Sequence, residues 1–310
     1  MRDDTPSRTA AYVAFARHAA RLLPRELQLV DDPYGAAFAS PWMARLIEWR
    51  AERGAGSVLA NNWLAKRGIL YMQVRTRVID DAVRMFIAAG GRQLVLLGAG
   101  YDTRAIRLPE LEHARVFEVD HPATQRHKRE VLTKLGVDSP SQYVVWNFEQ
   151  RPMAQLGTEL TASGHDATAP TLTIWEGVTM YLPEPAIDAS LRAIAGWSAA
   201  GSRLVMTYFA TEHLGGLGGA GGPGGASLST RLAAAMVARM GEPWRFGWAP
   251  AELPGYLAAR GLRLESDVSM ASAAAELLPP AAAALVASPV RRIAVAATES
   301  IATASVTPKR

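Results

Sequence analysis

The segment from Gln93 to Asp120 constrains the fold of this chain more than any other. An apolar run, Gln93–Leu97, leads directly into Gly98-Ala99-Gly100, and a second apolar run ends at Asp120. Continuous apolar runs of this length are typical of strands that are buried on both faces of a parallel sheet. Glycine permits a sharp turn and lets a ligand lie against the main chain. The segment therefore predicts two neighbouring strands and, after the first of them, a turn that can receive a ligand.

The ligand of this turn is expected to carry a nucleoside. Asp120 follows the glycines by about 20 residues, which is the spacing at which a carboxylate reaches ribose hydroxyls in doubly wound folds. The dinucleotide fingerprint requires a third glycine, so that a helix N-terminus can bind a pyrophosphate, and Thr103 stands there instead. S-adenosylmethionine has an adenosine group and no phosphates, so it does not need that glycine. A dehydrogenase is the weaker alternative.

Later segments extend the strand pattern. Residues 143–148, 171–177 and 203–209 read as strands and alternate with helical segments, which predicts an α/β fold with a mostly parallel sheet covered by helices on both faces. Right-handed crossovers place the carboxyl ends of parallel strands at one edge, where ligands bind. Asn147 and Glu176 are expected at that edge together with Asp120.

The chain divides into four expected parts. Residues 1–67 predict an N-terminal helical cap, and 68–210 a Rossmann-like core that begins with a long amphipathic helix. Residues 211–248 form an insertion in which eight of the eleven positions from 215 to 225 are glycine. A disordered surface segment and a hinged lid over the site both remain open for it.

The last part, residues 249–310, is expected to complete the sheet. Two short apolar segments, 262–266 and 293–297, predict strands that form an antiparallel edge. The alanine-rich stretch 270–288 between them is expected to be a linker, because Pro279-Pro280 interrupts any helix there.

Composition excludes several classes of protein. The chain has 310 residues, a net charge of +4 and no cysteine, so it has no disulfide framework and no thiolate metal site. Its basic residues are scattered and do not form a nucleic-acid patch. The first residues, Met1-Arg2-Asp3-Asp4, lack the apolar core that is expected of a signal peptide, and no apolar run reaches the ~18 residues that a membrane span needs. We expect a cytoplasmic protein with no metal site and no membrane or nucleic-acid partner; the sequence does not indicate an oligomeric state.

Five motifs, in this order along residues 5–210, resemble the leucine carboxyl methyltransferase family. The resemblance is to its bacterial branch of small-molecule O-methyltransferases, which includes enzymes of secondary metabolism. It implies a Rossmann-like methyltransferase fold of seven strands, the last antiparallel, and S-adenosylmethionine as the methyl donor. The motifs are Asp32-Pro33-Tyr34, Arg75-Thr76-Arg77-Val78-Ile79-Asp80, Gly98-Ala99-Gly100-Tyr101-Asp102-Thr103-Arg104, Val119-Asp120-His121-Pro122 and Glu176-Gly177-Val178-Thr179-Met180-Tyr181-Leu182.

The resemblance also implies roles for individual residues. Arg75 would bind the carboxylate of the cofactor, a task that suits a permanently charged guanidinium. Gly98 and Gly100 would let the methionine part lie against the loop. Asp120 would accept hydrogen bonds from both ribose hydroxyls, and Glu176 would lie near the methionine amino group or the sulfonium.

Several residues depart from the family pattern or are expected to have a structural role. The adenine position, which is usually Asp-Leu, reads Asn147-Phe148; the Asn147 carbonyl can still accept a hydrogen bond from the adenine amine, and Phe148 can pack on the ring. Asp102 is expected to cap the following helix. Arg104 and Arg107 are expected to form structural ion pairs.

The expected reaction is transfer of a methyl group from the sulfonium to an oxygen of a small-molecule acceptor. A carboxylate acceptor is already ionised at neutral pH and needs no base, whereas a hydroxyl acceptor is helped by one. No catalytic residue is assigned; His213 and His121 are the candidates for a base, and Tyr181 and Tyr12 for walls of the acceptor site. Methylation of a protein C-terminal carboxylate and a non-catalytic nucleoside-binding module remain alternatives.

Overall fold

The computed structural model describes residues 6–39, 45, 49, 63–211 and 245–298. It contains a seven-stranded sheet of order β3-β2-β1-β4-β5-β7-β6, which confirms the expected Rossmann-like α/β architecture. The strands are β1 Gln93–Leu97, β2 Arg115–Asp120, β3 Gln142–Val145, β4 Thr171–Trp175, β5 Arg203–Phe209, β6 Leu262–Ser269 and β7 Arg291–Thr298.

The antiparallel pairings lie at one side of the sheet. Strands β1 to β5 are parallel to one another, while β7 pairs antiparallel with both β5 and β6. Strand β7 lies one place in from the edge, and β6 is outermost. In the β5–β7 register Phe209 faces Arg291, so β7 begins at the same edge of the sheet at which β5 ends.

Helices cover both faces of this sheet. In the described ranges the helices are α1 Arg8–His18, α2 Trp63–Ala88, α3 Arg104–Arg107, α4 Pro122–Lys134, α5 Leu156–Ala162, α6 Glu184–Trp197, α7 Leu253–Ala258, α8 Met270–Leu277 and α9 Pro280–Val286. In β1, Leu94 and Leu96 pack in one apolar core with α2, α8 and α9, whereas Val95 and Leu97 pack in a second core with α6 and α7. None of these helices combines the length and the apolarity that a membrane crossing requires.

The prediction of a linker at 270–288 was wrong, because α8 and α9 occupy most of it. Pro280 is the first residue of α9, a position where proline costs no hydrogen bond, so the two prolines separate two helices and do not prevent either. Ala273 and Ala274 of α8 are buried in the core that contains α2. Alanine has the highest helix propensity, and burial against α2 adds the apolar contact that short helices need.

The described N-terminal residues 6–39 pack over the carboxyl edge of the sheet. The hydroxyl oxygen of Ser7 caps α1 by accepting a hydrogen bond from the backbone N–H of Ala10. Near the end of α1, the Arg17 guanidinium pairs with the buried Asp32 at 2.8 Å and donates to the Tyr101 carbonyl at 2.6 Å. This position agrees with a cap over the sheet; the four-part division of the chain, including a lid at 211–248, stays a prediction, and most of that lid lies outside the described residues.

Candidate cofactor site

The loop after β1 has a backbone conformation that requires glycine. Gly98 and Gly100 have φ angles of +74° and +53°, in the left-handed region. A Cβ on Gly98 would stand 2.8 Å from Cγ2 of Val178, and one on Gly100 would stand 3.0 Å from Cβ of Ala10 in α1. The loop therefore runs between α1 on one side and the segment after β4 on the other.

Asp120, the last residue of β2, forms hydrogen bonds with the backbone at this loop. One of its carboxylate oxygens accepts a hydrogen bond from the Gly100 backbone N–H, and the other accepts from the His121 backbone N–H at 2.6 Å. Burial raises the pKa of Asp120 to about 6, although these two hydrogen bonds act in the opposite direction. Each oxygen keeps a further lone pair, so the expected ribose contact is compatible with this arrangement and stays a prediction.

Arg75 and Glu176 meet at the edge of the sheet. Nε of Arg75, in the middle of α2, lies 2.7 Å from Oε1 of Glu176, which comes directly after β4. Burial raises the pKa of Glu176, but the charges of Arg75 and Arg104 outweigh it and hold that pKa below its usual value. Burial likewise opposes the charge of Arg75, but Glu176 outweighs it and raises the pKa of Arg75. Both side chains are therefore charged.

The Arg75–Glu176 pair is close but not aligned as a hydrogen bond. Arg75 Nε and Glu176 Oε1 are both buried, and neither has a hydrogen-bond partner of suitable geometry among the residues that the structure describes. Buried polar atoms are nearly always hydrogen-bonded, so two such atoms side by side are expected to bind a polar ligand. Sequence reasoning gave these residues separate tasks at the site and did not foresee that they contact each other.

A buried charge network extends from this pair; we use that name for Arg75, Asp80, Asp102, Arg104, Arg107 and Glu176. Arg104 is its centre. It donates to Glu176 at 2.8 Å and to Asp80 at 2.7 Å, and it also pairs with Asp102. Arg107 donates to the same Asp80 carboxylate at 2.6 and 2.8 Å. The expected structural pairing of Arg104 and Arg107 is confirmed.

Two carboxylates of the network differ in how far the sequence predicted them. The expected capping role of Asp102 is confirmed, because its Oδ1 accepts from the Arg104 backbone N–H at 2.8 Å. The importance of Asp80 was missed. Its signal was an acidic residue flanked by Ile79 and Val83 on the apolar face of α2, where a carboxylate needs a buried cation.

The adenine candidates lie beyond the end of β3, which ends at Val145, earlier than the predicted 148. Asn147 is in the turn that follows, and its side-chain oxygen accepts a hydrogen bond from the Glu149 backbone N–H at 3.0 Å. Phe148 is 38% exposed, so its ring is accessible to a stacked base. Both residues are at the expected edge, and their contact with adenine stays a prediction.

The candidates for the acceptor side differ in position. Tyr181 ends a short 3₁₀ turn, Thr179–Tyr181, and packs against the buried cluster of Met180, Phe209 and Val290. Tyr12 of α1 is 44% exposed, and its hydroxyl oxygen lies 3.0 Å from where a Cβ on Gly68 would stand. The acceptor contacts of both tyrosines stay predictions.

Of the two histidine candidates, only His121 lies within the described residues. Nδ1 of the buried His121 accepts a hydrogen bond from the Ala123 backbone N–H at 3.3 Å and so caps α4. That nitrogen is therefore already engaged in the structure. His213 lies outside the described residues.

Comparison with known proteins points to one family. The family model for leucine carboxyl methyltransferase matches residues 10–195. A Streptomyces coelicolor protein, named among the S-adenosyl-L-methionine-dependent methyltransferases, is 36% identical over 203 residues, which are 64% of this chain and 68% of its own length. A Mycolicibacterium gilvum protein with a name of the same kind is 33% identical over 235 residues, covering 72% of this chain and 71% of its own.

Solved structures resemble the chain in fold. A DUF574 family protein from Streptomyces avermitilis has a TM-score of 0.58 and 17% identity, and the match covers 96% of this chain and 99% of that one. A Thermobifida fusca protein described among the methyltransferases has a TM-score of 0.55 and 18% identity, with 96% of each chain covered. At these identities the likeness concerns the fold alone.

Proposed function

Because this chain belongs to the leucine carboxyl methyltransferase family, we propose that it uses S-adenosylmethionine to methylate an oxygen of a small-molecule acceptor. The names of its bacterial relatives support the cofactor. The resemblance of its motifs to the small-molecule branch supports an oxygen acceptor from secondary metabolism.

The observation that carries this proposal is the Arg75–Glu176 pair beside Gly98. The amino-acid end of S-adenosylmethionine is a zwitterion, with one carboxylate and one ammonium group. The pair offers a guanidinium and a carboxylate whose facing atoms, Nε and Oε1, are buried and have no aligned hydrogen-bond partner among the described residues. Gly98 lies against the segment that follows Glu176, since a Cβ on Gly98 would stand 2.8 Å from Cγ2 of Val178. The residues present therefore fit the cofactor.

Each residue has a definite task in the proposed reaction. When bound, S-adenosylmethionine supplies an electrophilic methyl group, so the protein mainly binds, aligns and desolvates the reactants. Arg75 and Glu176 would hold the amino-acid end, Asp120 the ribose, and Asn147 and Phe148 the adenine. Nδ1 of His121 already accepts a hydrogen bond from the backbone, so His121 is a weak candidate for the general base. An acceptor that is already ionised, such as a carboxylate, is favoured for this reason.

Calorimetry with S-adenosylmethionine and S-adenosylhomocysteine tests the cofactor. We expect micromolar binding by the parent and a loss of about tenfold or more for Arg75→Gln, since charged hydrogen bonds contribute about 1.5–3 kcal/mol. Arg77→Gln is the matched control, because Arg77 is on the same helix and pairs with Asp81 at the surface. Equal losses in both variants, or no binding by the parent, would contradict the proposal.

Transfer of a labelled methyl group into cell extract tests the reaction. The extract is separated into small-molecule and protein fractions, and the labelled product is treated with mild base, which hydrolyses methyl esters and leaves methyl ethers intact. Label in a small molecule is expected. Label in protein would favour methylation of a C-terminal carboxylate, and cofactor binding with no transfer to any fraction would favour a non-catalytic nucleoside-binding module.

A further inference from the structure

One face of helix α2 carries three residues that lead towards the cofactor site. Arg67, Tyr71 and Arg75 are four positions apart, so they lie on one face of the helix. The guanidinium carbon of Arg75 is 5.6 Å from the centre of the Tyr71 ring. Arg291, from the start of β7, lies closer to the same ring, at 4.3 Å. Tyr71 thus separates the paired Arg75 from a second cationic group.

Arg67 and Arg291 form what we call the arginine pair. In the described ranges no aspartate or glutamate forms an ion pair with either of them, in contrast to Arg75. Partial burial lowers the pKa of Arg67, and so does the positive charge of Arg291. Two neighbouring like charges repel each other, and this cost is recovered when an anion lies between them.

Arg291 also lies beside a buried apolar cluster at the carboxyl edge of the sheet. Arg291 faces Phe209 in the β5–β7 register, and its guanidinium carbon is 5.9 Å from the Phe209 ring. Phe209 packs with Met180 and Val290, and the half-buried Tyr181 packs against that cluster. A molecule bound at the arginine pair would meet two cations and the half-buried aromatic ring of Tyr71.

We propose that Arg67 and Arg291 form an anion-binding subsite for the methyl acceptor. Its ligand would be an apolar or aromatic small molecule that carries a carboxylate. Guanidinium groups bind carboxylates through charge-assisted hydrogen bonds, and the Tyr71 ring keeps Arg291 in place by a cation–π contact. The identification of this ligand as the methyl acceptor rests on the proposed function. The carboxylate of the cofactor is the other possible occupant, and the experiment separates the two.

Ligand-observed NMR with benzoate and benzamide tests the subsite, because the two probes have similar shape and differ in charge. Each is titrated into the full chain with and without saturating S-adenosylhomocysteine. We expect benzoate to bind at least about tenfold more tightly than benzamide in both conditions. Arg67→Gln and Arg291→Gln should each weaken benzoate about fivefold to tenfold and leave S-adenosylhomocysteine unaffected. The lysine variants, which keep the charge, should retain part of the preference.

Arg263→Gln is the control variant, because Arg263 is exposed on β6 and pairs with Glu265. Equal binding of benzoate and benzamide by the parent chain would overturn the proposal, and this comparison needs no variant to fold. Loss of benzoate binding when S-adenosylhomocysteine is added would assign the arginine pair to the cofactor and overturn it as well. Failure of S-adenosylhomocysteine to bind would instead contradict the proposed function, while the benzoate preference would still report on the subsite.

Discussion

The buried charge network and the arginine pair lie on either side of Tyr71 and differ in how their charges are balanced. In the network, Arg104 alone contacts three carboxylates, and Asp80 receives two arginines. In the arginine pair, two guanidinium groups neighbour each other with no carboxylate of the described chain to balance them. Arginine therefore serves two purposes in this region, and Arg67 and Arg75, one from each group, lie about two turns apart on α2.

Burial explains the difference. A charge removed from water costs several kcal/mol unless opposite charges and hydrogen bonds replace the solvent, so each charge of the network needs an opposite charge beside it before any ligand arrives. Arg67 is only partly buried, so water stabilises its charge and no fixed partner is needed. Charges that are already paired fix the geometry of the network, whereas two unpaired like charges retain free energy that a ligand can use.

The largest effect is expected from Arg104→Gln. It would leave Asp80, Asp102 and Glu176 with less balancing charge in a buried site, so the free energy of unfolding should fall by about 3–5 kcal/mol. Chemical denaturation measures this change. Arg203→Gln, which breaks the half-exposed pair with Glu265, should cost only about 1 kcal/mol or less. Similar losses for the two variants would remove the distinction between the network and the surface pairs.

Glu176→Gln should have the next largest effect, on ligand binding. The change removes the charged partner of Arg75 and one of the three carboxylate partners of Arg104, and it takes away the carboxylate proposed to bind the methionine ammonium group. We expect S-adenosylhomocysteine to bind about tenfold to hundredfold more weakly by calorimetry. Glu159→Gln, which breaks a surface pair with Arg151, is the control and should bind as the parent does. Unchanged affinity in Glu176→Gln would remove Glu176 from the cofactor site.

The ionisation of Asp120 should have a smaller effect, which is to make the affinity for S-adenosylhomocysteine depend on pH. Its pKa is raised to about 6, so the ionised form that accepts ribose hydrogen bonds is lost as the pH falls through 6. Affinity for S-adenosylhomocysteine should decline about threefold to fivefold between about pH 7 and pH 5.

The effect of Asp120 on stability has the opposite sign. A pKa raised by folding contributes stability at low pH, and that contribution is lost as the pH rises through 6. Asp120→Asn should remove both dependences. Parallel pH profiles for this variant and the parent would show that another group titrates.

The smallest effect is expected from Arg67→Gln. Since this side chain has no ion-pair partner among the described residues, its removal should change the free energy of unfolding by no more than about 0.5 kcal/mol. The same denaturation assay that is used for Arg104→Gln measures it. A loss comparable to that of Arg104→Gln would mean that Arg67 is structural, and it would weaken the contrast between the two groups.

Local patterns predicted the fold well. The glycine loop, the five parallel strands and the helices on both faces depend on apolar runs and turn residues that are read within short windows. The pattern also predicted β6 and β7. The helices α8 and α9 were missed because proline was read as a helix breaker, although it is also a favoured first residue.

Contacts between distant segments were harder to predict. The strand pattern placed Glu176 at the ligand-binding edge, and the family resemblance assigned Arg75 to the cofactor, but the contact between them depends on the depth of α2 over the sheet. The predicted end of β3 at residue 148 was wrong, and the strand ends at Val145. Asn147 accepts a hydrogen bond within its own turn, and this bond competes with continuation of the strand. The resemblance to a family identified the residues, and the structure provided their pairing.

The hydrogen bond from Arg17 to the Tyr101 carbonyl has a consequence for biosynthesis. The helix that contains Arg17 leaves the ribosome early, yet the oxygen it must reach belongs to a residue translated 84 positions later. Of the two partners of Arg17, Asp32 is nearer in the sequence and is translated first. The contact between α1 and the loop after β1 can therefore form only after Tyr101 has been synthesised.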